Sequence, residues 1–478
     1  MEIKPCLENL KSNVIRWYKF KENSKILIIG KDVKPIYDFL SKNHETVNLY
    51  KATSRVVENF DYIIIKDDIS LISLVRYNLK PDTTILLLMN NRFGVSYFAR
   101  TDGIETVREN VRKFLTKEEI ESSLKKKGYH DYRFFYPLPN YDFANAIYSD
   151  KFLPKYNDSK LANNNIYLNN ENISVDEIKM LRHFTKSGDF TKFTNSYLIE
   201  INPKSTEKAI FYNNIRKDEY RLITKIYDKY VEKEIYTEIS QNHINTIKEN
   251  IEDIEKHGFT LLDKIEDNKV ISKYVTMNNL YEKVVGLLKN GEVEKAILII
   301  EDKYNFIKEK FKNNRVTEIN TKYFKNLSPK GLFIVDKAYI DLAFENIFID
   351  EKENMYIYDQ EWFIENCPLE FLLFRIIFNM YMMNGEITEM ISRDDLLKRF
   401  NLFEYWETFL NAETIFQEKI VNKEIKEYYD KRAEFLSKQN LDPNAEFDRC
   451  NEIKQEYNRY LKHIKRFGFL KKIGLIKF

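Results

Sequence analysis

Short apolar runs punctuate the first 155 residues. KILIIG (25–30) closes on a glycine, and FDYIIIKDD (60–68) and TTILLLMNN (83–91) repeat the shape, an apolar stretch ended by polar residues. Runs of this length between turn signals fit strands buried on both faces. Helical spacing fills the intervals, beginning with residues 34–43. The alternation predicts a Rossmann-like, doubly wound α/β domain over residues 1–155, ending near YSDKFLPK (148–155).

The pattern then changes. Residues 156–185 open on a stretch rich in Asn, Ser and Asp and read as a linker. From 186 to 410 a second domain is expected. TNSYLIEI, EKAIFYN, EYRLITKIY and KYVEKEIY have the look of antiparallel strands. NHINTIKENIEDIEKHG reads as a helix stopped by Gly258, VISKYV (270–275) as a strand, and 278–315 as helical. Two short strands around the polar turn Asp350–Asn354 follow. LEFLLFRIIFNMYMMNG (369–385) is an apolar helix ended by Gly385; it is short for a bilayer and carries two charges, so a core helix is expected. Residues 411–478 read as a helical C-terminal segment.

Composition narrows the function classes. A chain of 478 residues exceeds one ordinary core. Its 76 basic and 74 acidic residues leave a net charge of +2, which gives no reason to expect a nucleic-acid partner. Cys6, Cys367 and Cys450 are scattered and odd in number, which fits neither a disulfide framework nor a zinc site. The histidines show no HxxxH or HExxH spacing. With no signal-peptide pattern at the N-terminus and no long apolar window, a reducing, cytoplasmic setting is the natural reading.

One constellation carries chemistry. Asp341 and Asn346 have D-x-x-x-x-N spacing, and Asp359 follows a strand–turn–strand that would return it beside Asn346. Phosphoryl transfer from ATP needs an acceptor for the hydroxyl proton, Mg²⁺ ligands and phosphate clamps. Asp341 suits the first role, Asn346 and Asp359 the second. DLAFENIFI and IYDQEW resemble the catalytic and metal-binding motifs of the bilobal protein-kinase-like fold, nearest its aminoglycoside- and choline-kinase-like branch. DQEW stands where other kinases have DFG, and Tyr339 where the family often has His. The resemblance implies ATP and Mg²⁺ as donor and cofactor. DFTKFTNSYLIEI (189–201) is similar to the family's nucleotide-binding opening, so Thr194, Asn195 and Ser196 are candidates for a phosphate-binding nest, without the usual glycines. Lys233 is the candidate strand lysine for the phosphates, with Glu249 or Glu252 as its helical partner, and KYVTMNNL (273–280) is the candidate adenine hinge.

The N-terminal motifs have their own resemblance. WYKFKENSKILIIG (17–30), LKPDTTILLLMNNRFGVSYF (79–98) and FFYPLPNYDFANAIYSDKFLP (134–154) resemble class I S-adenosylmethionine methyltransferases. More narrowly, they are similar to bacterial surface-polysaccharide proteins in which a kinase-like domain follows a methyltransferase. That chemistry needs an acid and a glycine-rich turn near the first strand, so that backbone can approach the cofactor. Here Ile28 stands at the expected acid, residues 31–34 replace the small turn, and VNLYKAT lacks the second acid, with Tyr50 near its place. The expectation is a degenerate methyltransferase-like domain with S-adenosylmethionine binding lost, and with Asp61, Asn91 and Arg92 structural.

The last 20 residues, 459–478, carry seven Lys/Arg and no acid, with Leu461, Ile464 and Phe467 at helical spacing. Such a stripe can lie on an anionic membrane surface, dock on a partner or pack onto the protein itself. The resemblance implies a glycan or glycolipid acceptor and glycosyltransferases of the same pathway as partners, at the inner face of the membrane. Two rivals stand beside the phosphotransferase reading: a non-catalytic scaffold for glycosyltransferases, and a methyltransferase with atypical cofactor contacts.

Overall fold

The computed structural model describes residues 5–44, 46–50, 59–75, 79–100, 114–156, 158, 161, 173–438 and 445–472. They fall into two compact units, one within residues 1–214 and 424–478, the other spanning 215–423.

The first unit is built on a large sheet. Its strands are β1 (Lys25–Ile29), β2 (Thr46–Tyr50), β3 (Phe60–Lys66), β4 (Leu79–Asn90), β5 (Tyr132–Leu138), β6 (Ala146–Ser149), β7 (Ser196–Ile201) and β8 (Ala209–Tyr212), in the spatial order β2-β1-β3-β4-β7-β5-β6-β8. β2, β1, β3 and β4 are parallel. β7 runs antiparallel between β4 and β5. Ile26–Ile29 and Ile63–Ile65 are buried, as parallel strands covered on both faces should be. Ile63, Ile65 and Leu87 share a core with Met180, Leu181 and Phe184 of helix α1 (Glu177–Lys186) and with Ile453 and Tyr457 of the helix Ala445–Lys472.

This unit is larger than the sequence pattern suggested. Part of the expected linker 156–185 is α1, whose N-cap Asp176 accepts from the Ile178 N–H and whose apolar face enters the core. Residues 162–172 of that linker lie outside the described residues. TNSYLIEI, expected to open the second domain, is β7, buried in the middle of the first sheet, and EKAIFYN supplies β8. The proposed C-terminal segment also divides. The helix Trp406–Ile420 packs in the second unit through Phe409, Ala412 and Phe416, whereas Ala445–Lys472 packs in the first. An apolar run encodes a buried strand, but the partner of β7 lies over a hundred residues back in β4, and no local pattern states that pairing.

In the second unit β9 (Leu222–Ile226), β10 (Tyr230–Ile235), β12 (Asp263–Glu266) and β13 (Lys269–Lys273) form an antiparallel sheet in the order β9-β10-β13-β12. Helix α2 (Gln241–Lys256) lies between β10 and β12 in the chain. It packs Ile244, Ile247 and Ile251 on Leu222 and Val270, and Gly258, at φ +75°, follows its end. Residues 274–279 lead to α3 (Leu280–Lys289), capped by the Asn279 side chain, and then to α4 (Val293–Lys310). β11 (Thr260–Leu261) and two hairpin-like pairs complete the unit: β14 (Ile334–Tyr339) with β17 (Phe363–Pro368), and β15 (Ile347–Ile349) with β16 (Met355–Ile357), β11 joining β16. α5 (Leu369–Met383) is the apolar helix, buried through Phe371–Ile377 as a core helix should be. Among the described residues no helix is long and apolar enough to cross a membrane. The chain is mixed α/β, with a large sheet in its first unit and a helical C-terminal region.

Candidate functional site

The second unit gathers its charged side chains around the β14–β17 segment. Asp341 follows β14, and one helical turn later Asn346 enters β15. The turn at Asp350 is locked by its own carboxylate, Oδ1 accepting from the N–H groups of Lys352 and Asn354 at 2.9 Å each. β16 therefore runs back along β15, and the Tyr358 N–H reaches the Asn346 carbonyl at 3.1 Å. Asp359 comes next, at φ +61°, with its N–H on Asp263 Oδ2 at 2.7 Å. The left-handed conformation of a non-glycine residue is a strained geometry of the kind found at functional turns.

Asp341 holds the following segment in place. Its Oδ2 accepts the N–H groups of Glu361 (3.0 Å) and Trp362 (2.9 Å), and its carbonyl accepts from Asn346 Nδ2 (3.1 Å) and Gln360 Nε2 (2.8 Å). Asp341, Asn346 and Asp359 consequently line one cavity of about 320 Å³, shared with Arg216, Glu361, Trp362, Arg375 and Phe416.

Lys233, on the middle strand β10, reaches the same place. Its Nζ donates to Asp359 and, at 2.7 Å, to Glu361. Burial would lower the Lys233 ammonium, but the two carboxylates outweigh it and hold it above its usual value. Glu361 also receives Arg216 and stands 3.2 Å from His243 Nε2, and these partners overcome its burial and hold it well below the usual carboxylate range. Asp359 goes the other way: burial raises it, only partly offset by Lys233. Burial likewise pushes Asp341 up to about 7, against the pull of Arg375, and Asp263 up to about 6. Burial and cationic partners thus drive neighbouring carboxylates of one cavity in opposite directions.

Other sequence candidates lie elsewhere. Thr194, Asn195 and Ser196 belong to the first unit, where all three are buried. Asn195 donates to Pro139 O and Glu177 and accepts from the Ser96 N–H; Ser196 Oγ accepts from the Tyr141 N–H; the Thr194 N–H ends a helical turn on Phe190 O. These groups hold the sheet together, and the sheet of the second unit begins with β9. Glu249 is on the exposed face of α2, and no hydrogen bond or ion pair joins it to Lys233 among the described residues. The α2 residues that reach the cluster are His243, through Glu361, and Asn250, whose Nδ2 stands 3.2 Å from the carbonyls of Gln360 and Glu361. Sequence reasoning missed Glu361, Arg216, His243, Asp263 and Arg375. Only Glu361 left a signal, two residues after Asp359 inside DQEW.

In the first unit, a doubly wound sheet takes its ligand beyond the strand ends where strand order reverses, here at β1 and β3. Gly30 follows β1 at φ +142°, and a Cβ there would stand 2.8 Å from Lys66 Cβ. Lys66, 7% exposed, is 2.9 Å from Asp142 and lies over the Tyr141 ring, whose hydroxyl donates to Asp67 at 2.7 Å. Asp61 accepts from the Lys25 N–H, Asn91 Nδ2 donates to the carbonyls of Lys192 and Thr194, and Arg92 pairs with Glu119. In the C-terminal helix Leu461 packs against the core of this unit, Ile464 is exposed, and the side chain of Phe467 and residues 473–478 lie outside the described residues.

No protein-family model and no curated protein matches the chain. Among solved structures it is similar to a SAM-dependent methyltransferase of Thermotoga maritima described as a possible histamine N-methyltransferase, with a TM-score of 0.24 and 10% identity over 41% of this chain and 87% of that one. It is also similar to the bifunctional kinase-methyltransferase WbdD, with a TM-score of 0.20 and 10% identity over 86% of this chain and 92% of that one. Likenesses this faint add nothing to the geometry.

Proposed function

We propose that residues 215–423 form a kinase-like phosphotransferase that uses ATP and Mg²⁺ to phosphorylate a hydroxyl on a sugar, glycolipid or glycan end. The observation that carries this reading is the convergence of Asp341, Asn346 and Asp359 on one cavity, with Lys233 from β10 bound to Asp359. The order β9-β10-β13-β12 with α2 between β10 and β12, followed by a largely helical half, supports a bilobal arrangement. The surface-polysaccharide setting rests on the sequence motifs alone.

The donor set fits a hard cation. Asn346 spends its amide nitrogen on Asp341 O, and among the described residues no hydrogen bond engages its Oδ1; Asp359 adds a carboxylate. Mg²⁺ needs only one or two protein oxygens beside substrate phosphates and water, and when bound it spreads the charge of the β- and γ-phosphates. Lys233 steadies the phosphates once it turns from Asp359. Asp341 orients the acceptor hydroxyl. As the acceptor oxygen bonds to the γ-phosphorus and the bond to ADP breaks, the hydroxyl proton passes to Asp341, whose position near 7 suits a base at neutral pH.

For the first unit we infer a methyltransferase-like sheet that no longer binds S-adenosylmethionine. The Lys66–Asp142 pair and Tyr141 crowd the strand ends, and Gly30 is pressed against Lys66. One observation favours the scaffold reading: the turn proposed to cradle phosphate, residues 194–196, is structural in the first unit.

Calorimetric titration of the full chain decides between these readings. ATP binding is expected with Mg²⁺ and not without it, lost in Asp359→Asn, with no S-adenosylmethionine binding at micromolar strength. A folded protein that binds no nucleotide would replace the phosphotransferase with the scaffold.

A further inference from the structure

The cavity beside Asp341 has two arginines with different fates. Arg216 is neutralised by Glu361. Arg375, on α5, is 9% exposed, and its Nη1 is buried with no hydrogen-bond partner among the described residues. Its Nε stands 3.2 Å from Glu413 Oε2 in an ion pair that makes no hydrogen bond, and Glu413 is itself tied to Gln417 by its other oxygen at 2.7 Å. The guanidinium lies 5.2 Å over the Phe416 ring. Buried polar groups in native proteins find partners, and a guanidinium left with unmet donors is costly. Its fork geometry matches carboxylate and phosphate oxygens.

Resting on the phosphotransferase reading, we propose that the acceptor carries an oxyanion, a carboxylate or a phosphate, that docks on Arg375: the substrate is an acidic sugar. Asp341 and Arg375 line the same cavity, so the anion belongs beside the group that faces the hydroxyl. The donor phosphates are assigned to Lys233, where it meets Asp359. Trp362 and Phe416, which also line the cavity, offer apolar walls to the C–H faces of a sugar ring.

The test is calorimetry on the full chain without nucleotide, with glucose, glucuronate and glucose 6-phosphate as probes. One of the acidic sugars is expected to bind at least tenfold tighter than glucose, and which one tells carboxylate from phosphate. Arg375→Gln should erase that preference, Arg375→Lys should retain part of it, and Mg-ATP affinity, titrated separately, should stay within threefold of wild type in both. Equal affinity for glucose and the acidic sugars overturns the proposal, as does failure of every sugar to bind. A preference that survives in Arg375→Gln overturns it too. Loss of Mg-ATP affinity in Arg375→Gln would assign the anion to the donor instead. Since sugar binding is read without ATP, loss of the nucleotide site in the Mg-ATP titration is a separate result.

Discussion

Replacing Asp341 with Asn should stabilise the protein while disabling it. The carboxyl titrates near 7 in the folded chain against 3.8 in the open one, because burial outweighs the attraction of Arg375. Between those values the folded state keeps a proton that the unfolded state has released, so stability falls as pH rises and levels off above about 7. At about 1.4 kcal/mol per pH unit, this raised carboxyl costs the folded state about 1.5 kcal/mol at pH 5, where it holds a proton the unfolded chain has released, and about 4 kcal/mol at pH 8, where it is ionised. Asn has no charge to bury, and its Oδ1 can still accept the Glu361 and Trp362 N–H groups. The advantage of Asp341→Asn should therefore grow across that range. For a cooperative unit of this size it corresponds to a gain of roughly 5 °C at the lower pH and on the order of 10 °C at the higher. Differential scanning calorimetry at a series of pH values measures it, and phosphate transfer should fall by about 10²–10⁴-fold in the same variant. A melting-temperature difference that stays constant from pH 5 to 8 would refute the reasoning, since Asp341 would then be titrating like a solvated carboxyl.

Glu361→Gln is expected to act in the opposite sense. It leaves Arg216, Lys233 and His243 around a neutral amide, at a cost of about 3–5 kcal/mol read as a lower urea midpoint, and an unchanged midpoint would exclude a buried charge cluster. Because the Glu361 carboxyl is held well below its usual value, its contribution is present above about pH 4.5 and lost as pH falls, so the two strains should converge in acid. Gly30→Ala should cost about 2–3 kcal/mol, since the new methyl meets Lys66 Cβ at 2.8 Å in a backbone conformation of φ +142°; a thermal midpoint equal to wild type would mean that the strand ends are looser than described.

Legibility followed the distance over which each feature is encoded. The approach of Asp359 to Asn346 was readable because a single turn, closed by Asp350 on its own neighbours, brings them together. The apolar run of α5 identified a core helix for the same reason. Glu249 was misassigned although its placement was also readable. Ile244, Ile247, Ile251 and Ile254 form the buried stripe of α2, and that spacing turns 248, 249 and 252 outward. Residues 194–196 were a different kind of miss. Their buried strand was visible, but its place between β4 and β5 is a long-range pairing, and so is the return of residues 445–472 to the first unit. Arg216 and Arg375 left no sequence signal, since each matters only through partners more than 30 residues away.

The partner of Lys233 changes what can move. Had a glutamate on α2 held the lysine, any shift of that helix would have released it. Here the lysine is gripped by Asp359 and Glu361, two residues of one short segment that Asp341 itself fixes through the Glu361 and Trp362 N–H groups. α2 enters one step removed, through His243 on the Glu361 carboxylate and Asn250 on the backbone carbonyls of Gln360 and Glu361. Asp341, Asp359 and Lys233 are therefore positioned by a single loop. A displacement of α2 alone would leave Lys233 paired, whereas withdrawal of Asp341 from residues 361–362 would loosen all three together.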